Sequence, residues 1–297
     1  MSKETLNIVK KFLNSYSIET TPNVHDKYGG FSDFLDKNHD VYVTYLPDEN
    51  SKNVISTAKK LKDEGYEVIP HLPARTIINE NELEKYIGEL ANVSGCTKIL
   101  IIGGGGNQAG NISSTMDVLK SDLLSKFNYK FVGVAGHPEG SPDIPDKEIK
   151  KSLILKNKFS ETSDSRFFIV SQFCFDAEAI LNWSMRINSE GNKIPIIIGL
   201  PGVAKLSTLI KYSLACGIGN SMNFLKKQGS NVLNLVKTQE PDKLVRKLAV
   251  SEEILKKNGI EGIHIYPLGG IRKSSEWAQS IIDENFKLTR DGFKVNY

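Results

Sequence analysis

Short apolar runs rich in β-branched residues recur along the chain, with amphipathic stretches between them. Eight runs read as strands: Ser17–Thr21, Val41–Pro47, Val68–Leu72, Ile99–Gly103, Phe131–Ala135, Phe167–Phe175, Pro195–Leu200 and Gly262–Tyr266. Several are apolar without interruption, such as Ile99-Leu100-Ile101-Ile102 and Ile196-Ile197-Ile198. Such a run belongs to a strand buried on both faces, as in a parallel sheet covered by helices. Ser51–Glu64 puts Val54, Ile55, Ala58 and Leu61 on one helical face and stops at Gly65. Asn79–Ala91 aligns Leu83, Ile87 and Leu90 in the same way. Asp146 and Asp176 are the expected N-caps of helices over Lys147–Lys158 and Ala177–Asn188. Ser251–Lys257 reads as a helix that ends at Asn258-Gly259. An amphipathic helix over Met1–Asn14 precedes the first strand, and a helical excursion, Asn220–Asn258, separates the last two. Strand followed by helix, eight times over, predicts an α/β fold: a (β/α)8 TIM barrel, with residues 1–297 as one domain. An open doubly wound sheet is the competing arrangement, and eight βα units fit closure better.

Composition narrows the function classes. With 39% hydrophobic and 25% charged residues, the chain is an ordinary globular protein rather than a disordered one. No apolar run approaches the ~18 residues that span a bilayer. Lys and Arg total 38 against 35 Asp and Glu, and a net charge of +3 so dispersed predicts no nucleic-acid partner. The start lacks the apolar core and cleavage site of a signal peptide. Cys96, Cys174 and Cys216 fit no zinc or disulfide framework. A cytoplasmic protein without membrane contact is the expectation.

In a barrel the site is built at the carboxyl ends of the strands, and polar and glycine residues gather there. The first strand offers Glu19 and the second Thr44-Tyr45. His71 ends the third, Gly103-Gly104-Gly105-Gly106 the fourth, and Ala135-Gly136-His137 the fifth. The later strands end in Ser171-Gln172, in Gly199-Leu200-Pro201-Gly202 and in Pro267-Leu268-Gly269-Gly270-Ile271-Arg272. The glycine run matches G-x-G-x-x-A, but a dinucleotide fingerprint also needs an acidic residue at the end of the next strand, and that strand ends in Ala135-Gly136. A tight turn and a bare backbone approached by a flat ligand or its phosphates both remain open. Glu19, alone, reads as an exposed carboxylate; enclosed at a barrel mouth it would have a raised pKa and serve as an acid. No metal is expected, because His71 and His137 lack HxH, HxxxH or carboxylate neighbours. No G-x-S-x-G elbow supports a serine nucleophile.

At these strand ends the sequence resembles the methylenetetrahydrofolate reductase family, flavin-dependent barrels that act on the one-carbon unit of tetrahydrofolate. Val132-Gly-Val-Ala-Gly-His-Pro-Glu-Gly-Ser-Pro142 resembles the family's VAGYPEGHP run, and Ser171-Gln-Phe-Cys-Phe-Asp176 its TQFFFD run. Val43-Thr-Tyr45, Pro70-His-Leu72 and Ser17-Ile-Glu-Thr-Thr-Pro22 are similar to its VTYG, PHL and SFEFFPP segments. The resemblance implies that Glu19 is the general acid that protonates folate nitrogen and opens the methylene bridge to an iminium. It implies FAD as cofactor, NAD(P)H as a possible donor and a tetrahydrofolate derivative as substrate. Thr44, Tyr45, His71, Gly103, Gly104, Gly105, Ala135, His137, Ser141 and Lys158 match positions around FAD, with Lys158 toward the diphosphate. Gln172, Thr208, Tyr212 and Arg272 match positions at the folate or nicotinamide.

The departures carry information too. The family's strand-four turn reads Arg-Gly-Asp, whereas this chain has Gly103-Gly104-Gly105. Losing a negative charge beside the flavin raises its potential. The expectation is therefore an enzyme that interconverts 5,10-methylene- and 5-methyl-tetrahydrofolate, in the oxidative direction or with a donor other than NAD(P)H. One alternative is a folate- or flavin-binding subunit of a methyltransferase or electron-transfer system; a homo-oligomer or an electron-transfer partner fits either. The other is a phosphate-binding aldolase or isomerase, which the absence of a lysine at the inward-facing strand ends argues against.

Overall fold

In a computed structural model of the protein, residues 3–105, 107–216 and 235–296 are described. Helix α1 (Lys3–Leu13) precedes β1 (Tyr16–Thr20), α2 (Pro22–Tyr28) and β2 (Val41–Val43). α3 (Ser51–Asp63) leads to β3 (Val68–Pro73), a 3-10 turn over Ala74–Thr76 and α4 (Glu80–Asn92). After β4 (Lys98–Ile102) come two short helices, α5 (Thr115–Leu119) and α6 (Leu123–Lys126), then β5 (Phe131–Gly136) and α7 (Asp146–Ser160). β6 (Arg166–Ser171), α8 (Ala177–Ser189), β7 (Ile196–Pro201), β8 (Ala204–Lys205) and α9 (Leu206–Ala215) follow. Beyond them lie β9 (Thr238–Gln239), α10 (Asp242–Ala249), α11 (Glu252–Lys257), β10 (Ile260–Tyr266), α12 (Ile271–Ile282), β11 (Phe286–Leu288) and β12 (Phe293–Val295). The strands pair in the order β1-β10-β7-β6-β5-β4-β3-β2 and close, giving the (β/α)8 barrel that the apolar pattern predicts.

Backbone proximity groups residues 1–18, 137–149 and 171–297 as one unit and 19–136 with 150–170 as another. In the first, β1 begins in parallel register with β10 (Ser17 opposite His264), and β10 continues on β7 (His264 opposite Gly199). Val9 and Leu13 seal α1 against this unit, and the Tyr16 and Ser275 hydroxyls hydrogen-bond at 3.2 Å. The ion pairs Lys10–Glu284 and Lys11–Glu252 lie at the surface and add about 0–1 kcal/mol each. Trp277 of α12 stacks on Phe293, which anchors the β11–β12 hairpin.

In the second unit β2, β3, β4 and β5 pair in parallel, with Val41, Val43, Ile99, Ile101, Val132 and Val134 wholly buried. Burial on both faces is why these strands read as unbroken apolar runs. Thr21 caps α2 by accepting from Val24 N, with Pro22 in the first turn where its missing N–H costs nothing. His25 of that helix is buried and bonds Glu64 at 2.7 Å, and Glu64 also accepts from Phe31 N at 3.0 Å. This chain of contacts ties the β1–β2 connection to the end of α3.

The structure trims some expected elements. The second strand ends at Val43 rather than Pro47, and the sixth at Ser171 rather than Phe175, because the chain leaves the ladder there to form the loops. Asp146 is the first residue of α7 instead of its cap; Pro145 O accepts from Glu148 N and Ile149 N. Asp176 caps α8 as expected, accepting from Glu178 N at 2.9 Å. Of the excursion over Asn220–Asn258, positions 220–234 lie outside the described residues, and the rest contains β9, α10 and α11.

One tight backbone approach lies within β7. A Cβ on Gly199 would lie 2.3 Å from Ser171 O and 2.7 Å from the Tyr266 ring. A Cβ on Gly262, in β10, would meet nothing closer than 3.9 Å. Gly199→Ala is therefore expected to cost about 1–3 kcal/mol, while Gly262→Ala stabilises by about 0.4–1 kcal/mol. Paired thermal melts of the two variants check this opposition of sign.

Candidate active site

Period-two alternation along β1 puts Ser17 and Glu19 on one face of the strand. In the unit that carries Glu19, burial raises its pKa from 4.5 to about 7, and the field of His71 pulls the other way. The carboxyl is thus desolvated by its surroundings although the residue keeps some exposure. His71 is buried in β3, its ring edge-on to Tyr42 at 6.1 Å, and its carbonyl accepts from the Tyr86 hydroxyl at 2.8 Å. Thr44 is fixed by donating from its hydroxyl to Thr20 O at 3.0 Å and from its N–H to the same oxygen at 2.9 Å. Tyr45 packs on Tyr86 with ring centroids 5.5 Å apart, and burial raises its pKa.

In the glycine turn after β4, conformation accounts for one of the glycines and not for its neighbours. Gly104 has φ +85°, and a Cβ there would press on Pro73 at 3.0 Å, so this glycine is required by the turn itself. Gly103 and Gly105 have ordinary φ, and a Cβ on either would meet nothing within 4 Å. Their bareness is not imposed by packing, and it leaves backbone accessible to a flat ring or a phosphate. Arg75 N donates to Gly103 O at 3.0 Å and holds the turn against β3. Ala135, at the end of β5, is partly buried. These residues fit a flavin: bare backbone, a fixed hydroxyl and a buried imidazole within one unit.

Helix α7 yields a residue that the sequence reading passes over. Lys158 is exposed, whereas Lys156 is only 5% exposed, and desolvation lowers its pKa to about 8. A lysine-rich helix conceals which of its amines turns inward. The signal available was phase, since Lys156 follows Ile149 by seven residues and Ser152 by four.

The other unit contains the second group of candidates. The Tyr266 hydroxyl donates to Ser171 O at 3.0 Å, and Ser171 Oγ accepts from Gly199 N at 2.8 Å. Gln172 follows directly; its carboxamide oxygen accepts from Phe173 N at 3.1 Å, which orients the side chain. The buried Cys174 thiol donates to Glu139 at 3.0 Å, joining the loop after β6 to the His137–Ser141 loop. His137 and Ser141 are partly buried, and Ser141 Oγ accepts from Asp143 N. His264 shares a hydrogen bond with Ser17 at 2.9 Å, and burial lowers its pKa to about 3, so it stays neutral. Thr208 and Tyr212 lie on α9, with Tyr212 39% exposed, and Arg272 opens α12 beside Glu276. Among the described residues, no group of three or more His, Cys, Asp or Glu side chains could hold a metal, and no helix is long and apolar enough to cross a membrane.

A native pKa above the unfolded value makes the folded protein bind more protons between pH 4.5 and about 7. Stability is full below the unfolded pKa and falls as pH rises through the folded one. Glu19→Gln is expected to remove that loss, and difference infrared titration of the carboxyl should give a midpoint near 7. His71→Ala moves the midpoint upward, because the field that lowers it is gone; a midpoint near 4.5 in the parent protein contradicts the assignment.

Comparison with known proteins agrees with this architecture. The family model for methylenetetrahydrofolate reductase matches residues 32–283. Methylenetetrahydrofolate reductase 2 of Saccharomyces cerevisiae is 26% identical over 237 residues, 73% of this chain and 36% of its own length. Methylenetetrahydrofolate reductase 1 of Schizosaccharomyces pombe is 30% identical over 159 residues, 50% of this chain and 24% of its own. The chain thus matches about a third or less of the length of these relatives. A Clostridium thermocellum protein that binds two copies of 5-methyl-5,6,7,8-tetrahydrofolic acid superposes with a TM-score of 0.59 at 17% identity, covering 92% of this chain and 97% of that one. The family match begins after β1 and does not cover Glu19, whose role as an acid is an expectation from the resemblance of Ser17–Pro22. The chain belongs to the methylenetetrahydrofolate reductase family.

Proposed function

We propose that the protein is a flavin-dependent oxidoreductase that interconverts 5,10-methylenetetrahydrofolate and 5-methyltetrahydrofolate. The observation that carries this reading is the Glu19 carboxyl, desolvated in β1 and titrating near 7. A group with that pKa is divided between its acid and its base at neutral pH, and so serves either direction of a proton transfer. In the reductive direction Glu19 gives its proton to folate nitrogen as the methylene bridge opens. In the oxidative direction it takes the proton back as the bridge closes.

FAD, held by Thr44, Tyr45, His71, the Gly103–Gly105 turn and Ala135, would supply the two-electron exchange. Gln172, its carboxamide oriented by Phe173 N, is the residue that the family resemblance gives to the pterin. The family resemblance gives His137, Ser141 and Lys158 to the flavin as well, and Thr208, Tyr212 and Arg272 to the folate or nicotinamide. The glycine turn puts no negative charge beside the redox group, which favours an anionic reduced state. That bias supports oxidation of 5-methyltetrahydrofolate, or a donor other than NAD(P)H. It equally supports a second reading, a folate-binding electron-transfer subunit of a methyltransferase system. The folate bound by the Clostridium thermocellum protein of the same fold supports the substrate class. A single barrel domain, working in the cytoplasm alone or as a homo-oligomer, completes the proposal.

Glu19→Gln is expected to lower folate turnover by at least ~100-fold, the scale of a lost general acid, while flavin absorbance is retained. Turnover at the parent rate removes Glu19 from the mechanism. Anaerobic mixing separates the directions: 5-methyltetrahydrofolate should bleach the flavin faster than NADH does. Fast bleaching by NADH with none by methyltetrahydrofolate defeats the oxidative reading.

A further inference from the structure

Strand register lines up one position from each of β1, β2 and β3 beside the proposed acid. Thr20 O accepts from Thr44 N, and this sets β1 against β2 in the parallel register that puts Glu19 opposite Tyr42. β2 stands between β1 and β3, and Tyr42 in turn lies opposite Ile69, two residues before His71. Opposite residues of parallel neighbours share a face, and so do residues two apart along a strand. Glu19, Tyr42 and His71 therefore belong to one face, on strands about 4.8 Å apart. The Tyr42 side chain is wholly buried, with the His71 ring packed edge-on against it at 6.1 Å. Glu19 keeps some exposure, and the buried ring opposite it shows that water does not come from the side of β2. A phenol ring presents carbon over most of its surface, and carbon gives a carboxylate none of the hydrogen bonds that water would. β1, β2 and β3 bring no further titratable side chain to that face; in the other unit His264, opposite Ser17, is held neutral by burial.

We infer that Tyr42 is a positioning residue for the acid, its ring walling the Glu19 carboxyl off from water on the β2 side. The ring carbons do this, and not the hydroxyl. Without the wall, water reaches the carboxylate and favours its charged form, so the proton is lost before a substrate arrives. The consequence for turnover rests on the proposed role of Glu19. The wall itself is a property of the folate-free protein.

The test is difference infrared titration of the full, folate-free chain, with the Glu19 band identified by its loss in Glu19→Gln. Beside it runs the pH profile of 5,10-methylenetetrahydrofolate turnover by the chemically reduced holoenzyme. Tyr42→Phe keeps the ring and should keep the Glu19 midpoint near 7. Tyr42→Ser removes it, and the midpoint should fall toward 4.5 by at least ~1 pH unit, a tenfold or greater rise in the acid dissociation constant. The limb on which turnover is lost with rising pH should move to lower pH by the same amount. Tyr42→Leu, apolar but smaller, should fall between the two and stands in if the serine variant does not fold. A tyrosine that only fills space would lower the melting temperature of Tyr42→Ser and Tyr42→Leu and leave the midpoint near 7, which overturns the inference. A fall in Tyr42→Phe as large as in Tyr42→Ser gives the effect to the hydroxyl and overturns it too. A parent midpoint near 4.5 leaves no desolvation for the ring to cause, and the inference falls with it. If the midpoint falls as expected while the turnover profile stays in place, the wall stands and the proposed role of Glu19 fails.

Discussion

The carboxyl of Glu19 is held where water solvates it poorly, and the chemistry proposed for this protein depends on that cost. An ionised carboxylate on the outer face of a strand would titrate near its ordinary value and could not hold a proton at neutral pH. Placed on the same side of β1 as Ser17, it is enclosed by protein atoms, and the charged form is penalised. His71 offsets part of that penalty, so the group settles near neutrality instead of being locked in the protonated state. The balance of the two effects, more than the presence of a carboxylate, makes Glu19 suited to passing protons in both directions.

The strands of the other unit leave little room for adjustment. Where the Tyr266 ring and Ser171 carbonyl crowd β7, glycine at position 199 lets the backbones pass, and the Tyr266 hydroxyl then fixes the end of β6 from which Gln172 departs. Neutral polar groups do the same work elsewhere: Thr44 bonds the end of β1, and His264, kept uncharged by burial, bonds Ser17. These contacts satisfy buried donors and acceptors locally, as a dry interior requires.

The barrel was legible in the sequence because strands covered on both faces must be apolar at every position. That is why Ile99–Ile102 and Ile196–Ile198 stand out where an alternating pattern would have been ambiguous. Strand ends were less legible. Thr44–Pro47 and Gln172–Phe175 keep strand-like composition, yet they leave the ladder to make loops. The two-residue pairing of β8 with β9 and the β11–β12 hairpin are too short for periodicity to reveal. Glu19 alone reads as an exposed carboxylate, and only the resemblance of Ser17–Pro22 to a family segment singles it out. The glycine turn was half legible: Gly104 answers to conformation, whereas the open space beside Gly103 and Gly105 emerges only in three dimensions.

The proposed chemistry requires a folate to cover the desolvated carboxyl of Glu19, and proton linkage reads that event directly. Calorimetric binding of 5-methyltetrahydrofolate at pH 7.5, repeated in buffers of different ionisation enthalpy, reports the protons exchanged on binding. Covering the carboxyl further desolvates it, so the parent protein should take up part of one proton that the Glu19→Gln variant does not. Equal proton stoichiometry in the two proteins, with folate bound by both, would contradict the account.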